Sequence, residues 1–500
     1  MPITFIPNDP RSKGGPPPRA QTPRAERPGT VAGFTYVPHS AAAQHPLGDP
    51  EFLFWQSREA ALAAIQTFES LSGGKVRDWF GSSRKIDLLP DDGVDLNAYY
   101  DRGSVTFFHY TTSGKTTWSG ASTDVVAHEV GHALLDQMRP ELWDSAYTET
   151  GAFHEAFGDC MALLTAFADP VTLADVRRRM RKPNFVEATA EDLSAGVRRA
   201  LGPQHAASKP RHARNKFQWA LPSTLPPVGP PNLLTGEIHS FARVFTGCFY
   251  DLVLNILSKA AGSKAPTTAQ LTAAVRTAGK LLIRAAAEAP ESPRFFQSVG
   301  RAMVLADQAM NGGANRQAIN DAFQKHNIPL ASAAMLAPVA ALGGTTTRTQ
   351  AVSRTGLSKA AIMDLRKRLG AAPSEKVKVV AQEIGGQKVV RATHLKHVPL
   401  GQLDKRLEGV VAVAPQPVLV GAVDKSRAGA ILGGVPEPIA SEDEVKAFVT
   451  TLLETDRIAF DSKAARYGIA GKKRDARMRL PTHVIHKEGK EKVLRRVRFA

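Results

Sequence analysis

The chain has 500 residues, 43% of them hydrophobic, and carries 64 Lys and Arg against 47 Asp and Glu, a net charge of +17. This length suggests two or three domains with ample chain for a core, and the composition is that of a soluble globular protein. No run of 18 apolar residues occurs, so no transmembrane segment is expected.

The first ten residues, Met1 to Pro10, lack the basic start and apolar stretch of a secretory signal. Cytoplasmic residence is the default expectation, with non-classical export as the other route. Residues 11–29 are rich in Pro, Gly and Arg, which predicts a disordered basic N-terminus over residues 1–45. A helix is expected over residues 52–70 and a strand-rich stretch over residues 75–110.

The most informative segment follows. Residues 124–136 contain His128-Glu129-Val130-Gly131-His132, an H-E-x-x-H motif, with Val125, Val126, Val130, Ala133 and Leu134 around it and no proline. On a helix, residues four apart share a face, so both imidazoles reach one metal ion. Glu129 stands beside His128, where its carboxylate addresses a water rather than the metal. Catalytic zinc takes three protein ligands and leaves one place open, so a third ligand belongs on another element. The next expected helix, over residues 152–167, supplies Glu155 and, one turn on, Asp159. Glu155 is the candidate third ligand and Asp159 the candidate partner that orients a ligand histidine through its other ring nitrogen.

Residues 124–132 and 151–159 together resemble the two zinc-site helices of the thermolysin-like (gluzincin) zinc metallopeptidases, with Glu155 23 positions after His132. Residues 96–101, containing Asn97 and Ala98, resemble the edge strand on which that family aligns its peptide substrate. Residues 238–240 resemble the segment whose histidine, here His239, donates to the tetrahedral oxyanion. Residues 316–323 resemble the family's closing helix. The resemblance covers about residues 50–328. It implies an α+β, two-lobed catalytic domain, a mixed β-rich lobe and a helical lobe with zinc in the cleft. It implies Zn²⁺ as cofactor on His128, His132 and Glu155. Glu129 and His239 are then catalytic, Asp159 supports a ligand, and Asn97 and Ala98 bind substrate. The implied activity is a metalloendopeptidase acting on a peptide or protein through a zinc-activated water, with Glu129 as general base. Tyr147 is a candidate second oxyanion donor, one position from where the family has it.

Three departures stand out. The acidic partner expected five residues before the oxyanion histidine falls on Leu234, which suggests that His239 is oriented differently or is less basic. Asp124 matches a calcium ligand of the family, but residues 163–168 are apolar where an acidic cluster is expected, so a calcium pair is not supported. Ahead of the first helix stand only about 45 residues, where relatives carry a long propeptide.

Further helices are expected over residues 171–181, 190–201, 239–257, 269–287, 293–310 and 316–326, interrupted by a Pro-rich loop over 210–231. Cys160 and Cys248 read as reduced core thiols. The catalytic domain is bounded at residues 46–328, a small-residue linker at 329–350, and a small basic α+β module at 351–500. Residues 351–500 hold 29 Lys and Arg against 16 Asp and Glu. Their clusters are Lys472, Lys473, Arg474, Arg477 and Arg479, then Arg495, Arg496 and Arg498. Such clusters suit an acidic or otherwise anionic partner; without interleaved aromatics they do not indicate nucleic acid. Two other readings stay open. A zinc aminopeptidase would need an acidic anchor for the substrate amine, and no Gly-Ala-Met-Glu-Asn segment is present. A catalytically latent or inactive binding protein, docking its anionic partner through the basic module, is the alternative from another class.

Overall fold

The computed structural model describes residues 1–36, 39–330, 359–368, 371, 375–384, 387–420, 431–434, 441–460 and 480–500. The N-terminus departs from the disorder its composition suggests. Strand β1 (Ile3–Phe5) pairs antiparallel with β2 (Arg19–Gln21), and Ile3, Phe5 and Ile6 are buried. The backbone of Ile6 donates to and accepts from the Gln56 amide at 2.8 and 3.0 Å, which ties this strand to helix α1 (Pro50–Ser72). The arginines that made the segment look solvated are consumed on the same helix: Arg24 pairs with buried Glu59 at 3.0 Å and Arg27 with buried Glu69 at 2.6 Å. A buried carboxylate needs a charged partner, and the N-terminal segment supplies it.

Strand β3 (Gly33–Tyr36) opens a four-stranded sheet with β4 (Lys85–Leu89), β5 (Ala98–Tyr100) and β6 (Ser104–Phe107) in the order β3-β4-β6-β5, so β5 lies at an edge. The hairpin β7 (His109–Thr112) and β8 (Lys115–Trp118) leads into helix α2 (Thr123–Met138), where fourteen consecutive residues from Thr123 to Asp136 are buried. The Tyr100 hydroxyl donates to Asp136 at 3.0 Å and joins the edge strand to this helix.

Next come α3 (Thr148–Ala168), α4 (Pro170–Arg177), the two-residue strand β9 (Ala188–Thr189), α5 (Glu191–Leu201) and β10 (Arg211–His212), which pairs with β9. They are followed by α6 (Ile238–Ala261), α7 (Thr268–Glu288), α8 (Phe295–Asn311) and α9 (Arg316–Lys325). Helix α6 is long and apolar enough to cross a bilayer, but its faces are spent on the core, with Phe241, Phe245 and Phe249 fully enclosed. Cys160 and Cys248 are free and buried, as their positions on apolar helices imply.

The N-terminal strand also reaches the start of α2. Ser122 donates to Asp9 at 2.8 Å and lies within hydrogen-bonding distance of Asp124, so two buried carboxylates share one hydroxyl. Burial, joined at Asp124 by the neighbouring Asp9, raises both carboxyls, Asp124 to about 7. A carboxyl raised on folding contributes stability that is complete below its unfolded value near 4 and is lost as pH rises through its folded value. Asp9→Asn removes one of the two charges. It is therefore expected to reduce the loss of unfolding free energy between pH 5 and pH 8 by about 1–2 kcal/mol relative to wild type. Denaturant titrations at the two pH values check this; an equal loss in both proteins would exclude the coupling.

The C-terminal elements are α10 (Lys359–Arg368), strands β11 (Lys376–Ile384), β12 (Gln387–Pro399), β13 (Val410–Val420) and β14 (Ile431–Gly434), and α11 (Ser441–Glu454). Strands β15 (Ile458–Ala459), β16 (His483–Glu488) and β17 (Glu491–Arg496) complete a seven-stranded sheet of order β11-β12-β13-β17-β16-β15, with β14 on β13. Val410, Ala412, Ala414, Val445, Phe448 and Leu494 join the same buried cluster as the residues of α2 and α3. One continuous core therefore spans both parts. The N–H of Ala146 bonds the carbonyl of Val413 at 3.1 Å, and the Trp143 indole bonds the carbonyl of Arg496 at 2.9 Å. Residues 331–350 of the expected linker, and the cluster Lys472, Lys473, Arg474, Arg477 and Arg479, lie outside the described residues. Arg496 and Arg498 face inward and are buried, and Arg495 pairs with Glu488 and Asp144.

Candidate metal centre and peptide cleft

Helices α2 and α3 carry the site, and two glycines set how closely they approach. A Cβ at Gly131 would stand 2.9 Å from the Cα of Gly158, and one at Gly158 would stand 2.7 Å from Nδ1 of His128. With both positions bare, the backbones touch and the His128 ring lies flat against α3.

This contact brings His128, His132 and Glu155 into one buried group whose ligand atoms all lie within 4.8 Å of one another. Nε2 of His128 is 3.2 Å from one Glu155 oxygen and Nε2 of His132 is 3.7 Å from the other. Both oxygens are enclosed, and neither receives an aligned hydrogen bond among the described residues. A carboxylate so placed calls for a cation, and two imidazoles with one carboxylate form the nitrogen and oxygen donor set that suits Zn²⁺. The residues present thus fit the metal that the sequence motif implies.

The far sides of the ligands are also held. Asp159 Oδ1 lies 3.0 Å from His128 Nδ1, as its position one turn after Glu155 suggests. Asp159 in turn receives Arg211 from β10, with Nη2 at 2.7 Å and Nε at 3.1 Å. Arg211 Nη2 also stands 3.3 Å from His128 Nδ1. Burial opposes a charge on His128, but the Asp159 and Glu155 carboxylates beside its two ring nitrogens raise it to about 10, which makes the imidazole a more basic ligand. Burial, joined by the neighbouring His128 and His239, takes His132 well below its ordinary value, and its Nδ1 meets His154 Nδ1 at 2.9 Å. Against the same burial, His239, His132 and His128 hold Glu155 well below the usual carboxylate range.

Glu129 is buried on the cleft side of α2, and its Oε2 makes no hydrogen bond among the described residues. Burial pushes its carboxyl up to about 7. Glu129 lines a small cavity together with Asn97, Ala98, His128, Arg211 and His239. Asn97 and Ala98 thus stand beside the metal group, with the Asn97 side chain accepting from the Ala98 N–H at 3.0 Å. A neighbouring cavity of about 220 Å³ is lined by Leu193, Val197 and Leu201 of α5 and by Arg211 and His239.

His239 corrects one expectation. It has its acidic partner, supplied by Glu237 rather than by position 234: His239 Nδ1 lies 2.7 Å from Glu237 Oε1, and Nε2 points at Glu155, 3.2 Å away. Burial lowers a histidine, yet Glu155 and Glu237 together raise this one. Glu237 also caps α6, accepting from the Ser240 N–H, so helix start and histidine orientation come from one side chain. Tyr147 does not reach the cleft. It is buried at the N-cap of α3, and its hydroxyl donates to the carbonyl of Pro415 at 3.2 Å.

Sequence reasoning missed His154, Arg211 and Glu237. His154 adjoins Glu155 and Glu237 lies two before His239, so sequence proximity was their only signal; Arg211, in the Pro-rich loop, carried none.

A two-histidine, one-glutamate centre on successive buried helices, within a mixed α and β chain, is similar to that of the thermolysin-like zinc metallopeptidases. Residues 99–330 match the family model of the fungalysin metallopeptidases (M36), a thermolysin-like gluzincin family of zinc-dependent enzymes, and every ligand candidate falls inside that span. No curated protein matches the chain.

Proposed function

We propose that this protein is a zinc-dependent metalloendopeptidase, with His128, His132 and Glu155 as ligands and Glu129 as general base. The observation that carries the reading is the buried triad of ligand atoms within 4.8 Å, with the Glu129 carboxylate beside it. Zinc, when bound there, supplies Lewis acidity that polarises a scissile carbonyl and lowers the pKa of water to about 7. The chain's own residues do the rest. Glu129 accepts a proton from the attacking water and returns it to the leaving amine. His239 donates from Nε2 to the oxyanion, its ring fixed by Glu237. Asn97 and Ala98 hold the substrate backbone at the end of an edge strand, the kind of edge to which an extended peptide adds through main-chain hydrogen bonds. Leu193, Val197 and Leu201 offer an apolar side chain a place next to the reacting bond.

The test is hydrolysis of casein and of an internally quenched peptide by purified protein of known zinc content, with and without a chelator. Cleavage that chelation stops and zinc restores supports the reading; failure to take up zinc at about one per chain would exclude it.

Glu237→Gln probes the oxyanion donor. Removing the carboxylate lowers the pKa of His239, so the alkaline limb of the activity profile is expected to move to lower pH by about one unit. The turnover rate should fall about tenfold or more. An unmoved limb at wild-type turnover would remove His239 from this role.

A further inference from the structure

The outer side of the edge strand is already taken. Phe499 and Tyr100 exchange two backbone hydrogen bonds, 3.0 and 3.1 Å, as an isolated antiparallel bridge that continues the sheet beyond β5. The Phe499 ring is fully buried, stacked on His154 with centroids 4.0 Å apart and on His132 at 4.8 Å, with the edge of Trp143 at 5.3 Å. Arg496 lies over the same ring at 4.0 Å and Arg498 over Tyr99 at 4.9 Å. Because the pairing is antiparallel, the residue after Phe499 runs back from Tyr100 towards Ala98. Ala500 accordingly lines the cavity that also holds Asn97, His128, Glu129 and His239.

An extended peptide adds to an exposed sheet edge through main-chain hydrogen bonds, with alternate side chains in pockets. The end of the segment Val497–Ala500 meets that description: the Phe499 backbone is paired on the edge strand, its ring fills a closed aromatic pocket, and Ala500 lines the cavity at the metal group. We propose that this segment is an internal occupant of the substrate edge, which holds the cleft closed to peptides until it is displaced. The inference rests on the peptidase reading for its consequence, but the occupancy itself can be measured without catalysis.

The test uses the full chain, the full chain with Phe499→Ala, and a chain lacking residues 497–500, each with zinc content determined. Binding is measured in a Glu129→Gln background by fluorescence polarisation of a labelled peptide with the sequence of residues 495–500. Cleavage of the quenched peptide is measured with Glu129 intact. If the segment leaves the edge in a tenth or less of molecules, both changes raise apparent affinity for the labelled peptide by about tenfold or more. They raise kcat/KM by a similar factor, mainly through KM, and the free peptide then inhibits competitively. Should the shortened chain fail to fold, Phe499→Ala decides by the same readouts. Tighter peptide binding without cleavage in any protein would uphold the occupancy and refute the peptidase reading instead. Unchanged binding and unchanged kcat/KM in a zinc-loaded variant would overturn the proposal. So would loss of zinc on Phe499→Ala, which would make the ring a prop for His132.

Discussion

Glu129→Gln is expected to lower turnover of a quenched peptide by at least about a hundredfold, since a placed carboxylate contributes that order through proton transfer. The metal should stay. Glu129 is not one of the three residues whose ligand atoms converge, and its carboxylate faces the cavity shared with Ala98 and His239. Burial that brings the carboxyl to about 7 suits a group that must both take and return a proton near neutrality. The substitution keeps shape and one acceptor oxygen, so folding is not at issue. Zinc analysis beside steady-state kinetics separates the outcomes. Substantial activity in a variant holding one zinc per chain would show that another group is the base; loss of zinc would show that Glu129 helps to hold it.

Gly158→Ala is the second large effect. The added methyl would stand 2.7 to 2.9 Å from three atoms of the His128 ring, closer than van der Waals contact allows. The ring cannot yield freely, because Asp159 and Arg211 hold its Nδ1 side and Glu155 faces its Nε2. Either His128 tilts out of the ligand group or α2 and α3 move apart along a buried seam. Overpacking of this kind costs about 1–3 kcal/mol of stability. A displaced ligand is expected to weaken zinc affinity by about 10- to 100-fold, as disturbance of supporting contacts does. Competition against a chromophoric chelator measures the affinity, and denaturant unfolding of the metal-free protein measures the stability. Wild-type zinc affinity in the variant would mean that the contact at Gly158 does not position His128.

The contrast between what could be read from the chain and what could not follows sequence separation. His128, Glu129, His132, Glu155 and Asp159 lie on two consecutive helices, so the 3.6-residue period alone brings them together. The strands and helices after residue 359 also show their periods locally. The supporting contacts do not. Nothing near Phe499 hints at His132 or His154, which it meets across more than 340 residues, and nothing near Pro415 hints at Tyr147. The N-terminal arginines illustrate the same difficulty: Pro, Gly and Arg describe an unfolded segment until Glu59 and Glu69 are known to be buried beneath them. Glu237 went unseen because the acidic partner of His239 was sought five residues back, whereas a capping side chain at the start of α6 fills the role.

The two ends of the described chain converge on one helix. Ile6 and Asn8 accept from Thr123 at the start of α2, through its side chain and its backbone respectively, and Phe499 closes over His132 just past its middle. On the ribosome, residues 123–138 emerge long before residue 499. The histidine face of a nascent chain therefore lacks its last aromatic wall throughout elongation, and the slowest contacts to form are those of greatest separation. Synthesis thus leaves an interval in which the edge strand is bare, and it ends only once residues 497–500 have emerged and paired.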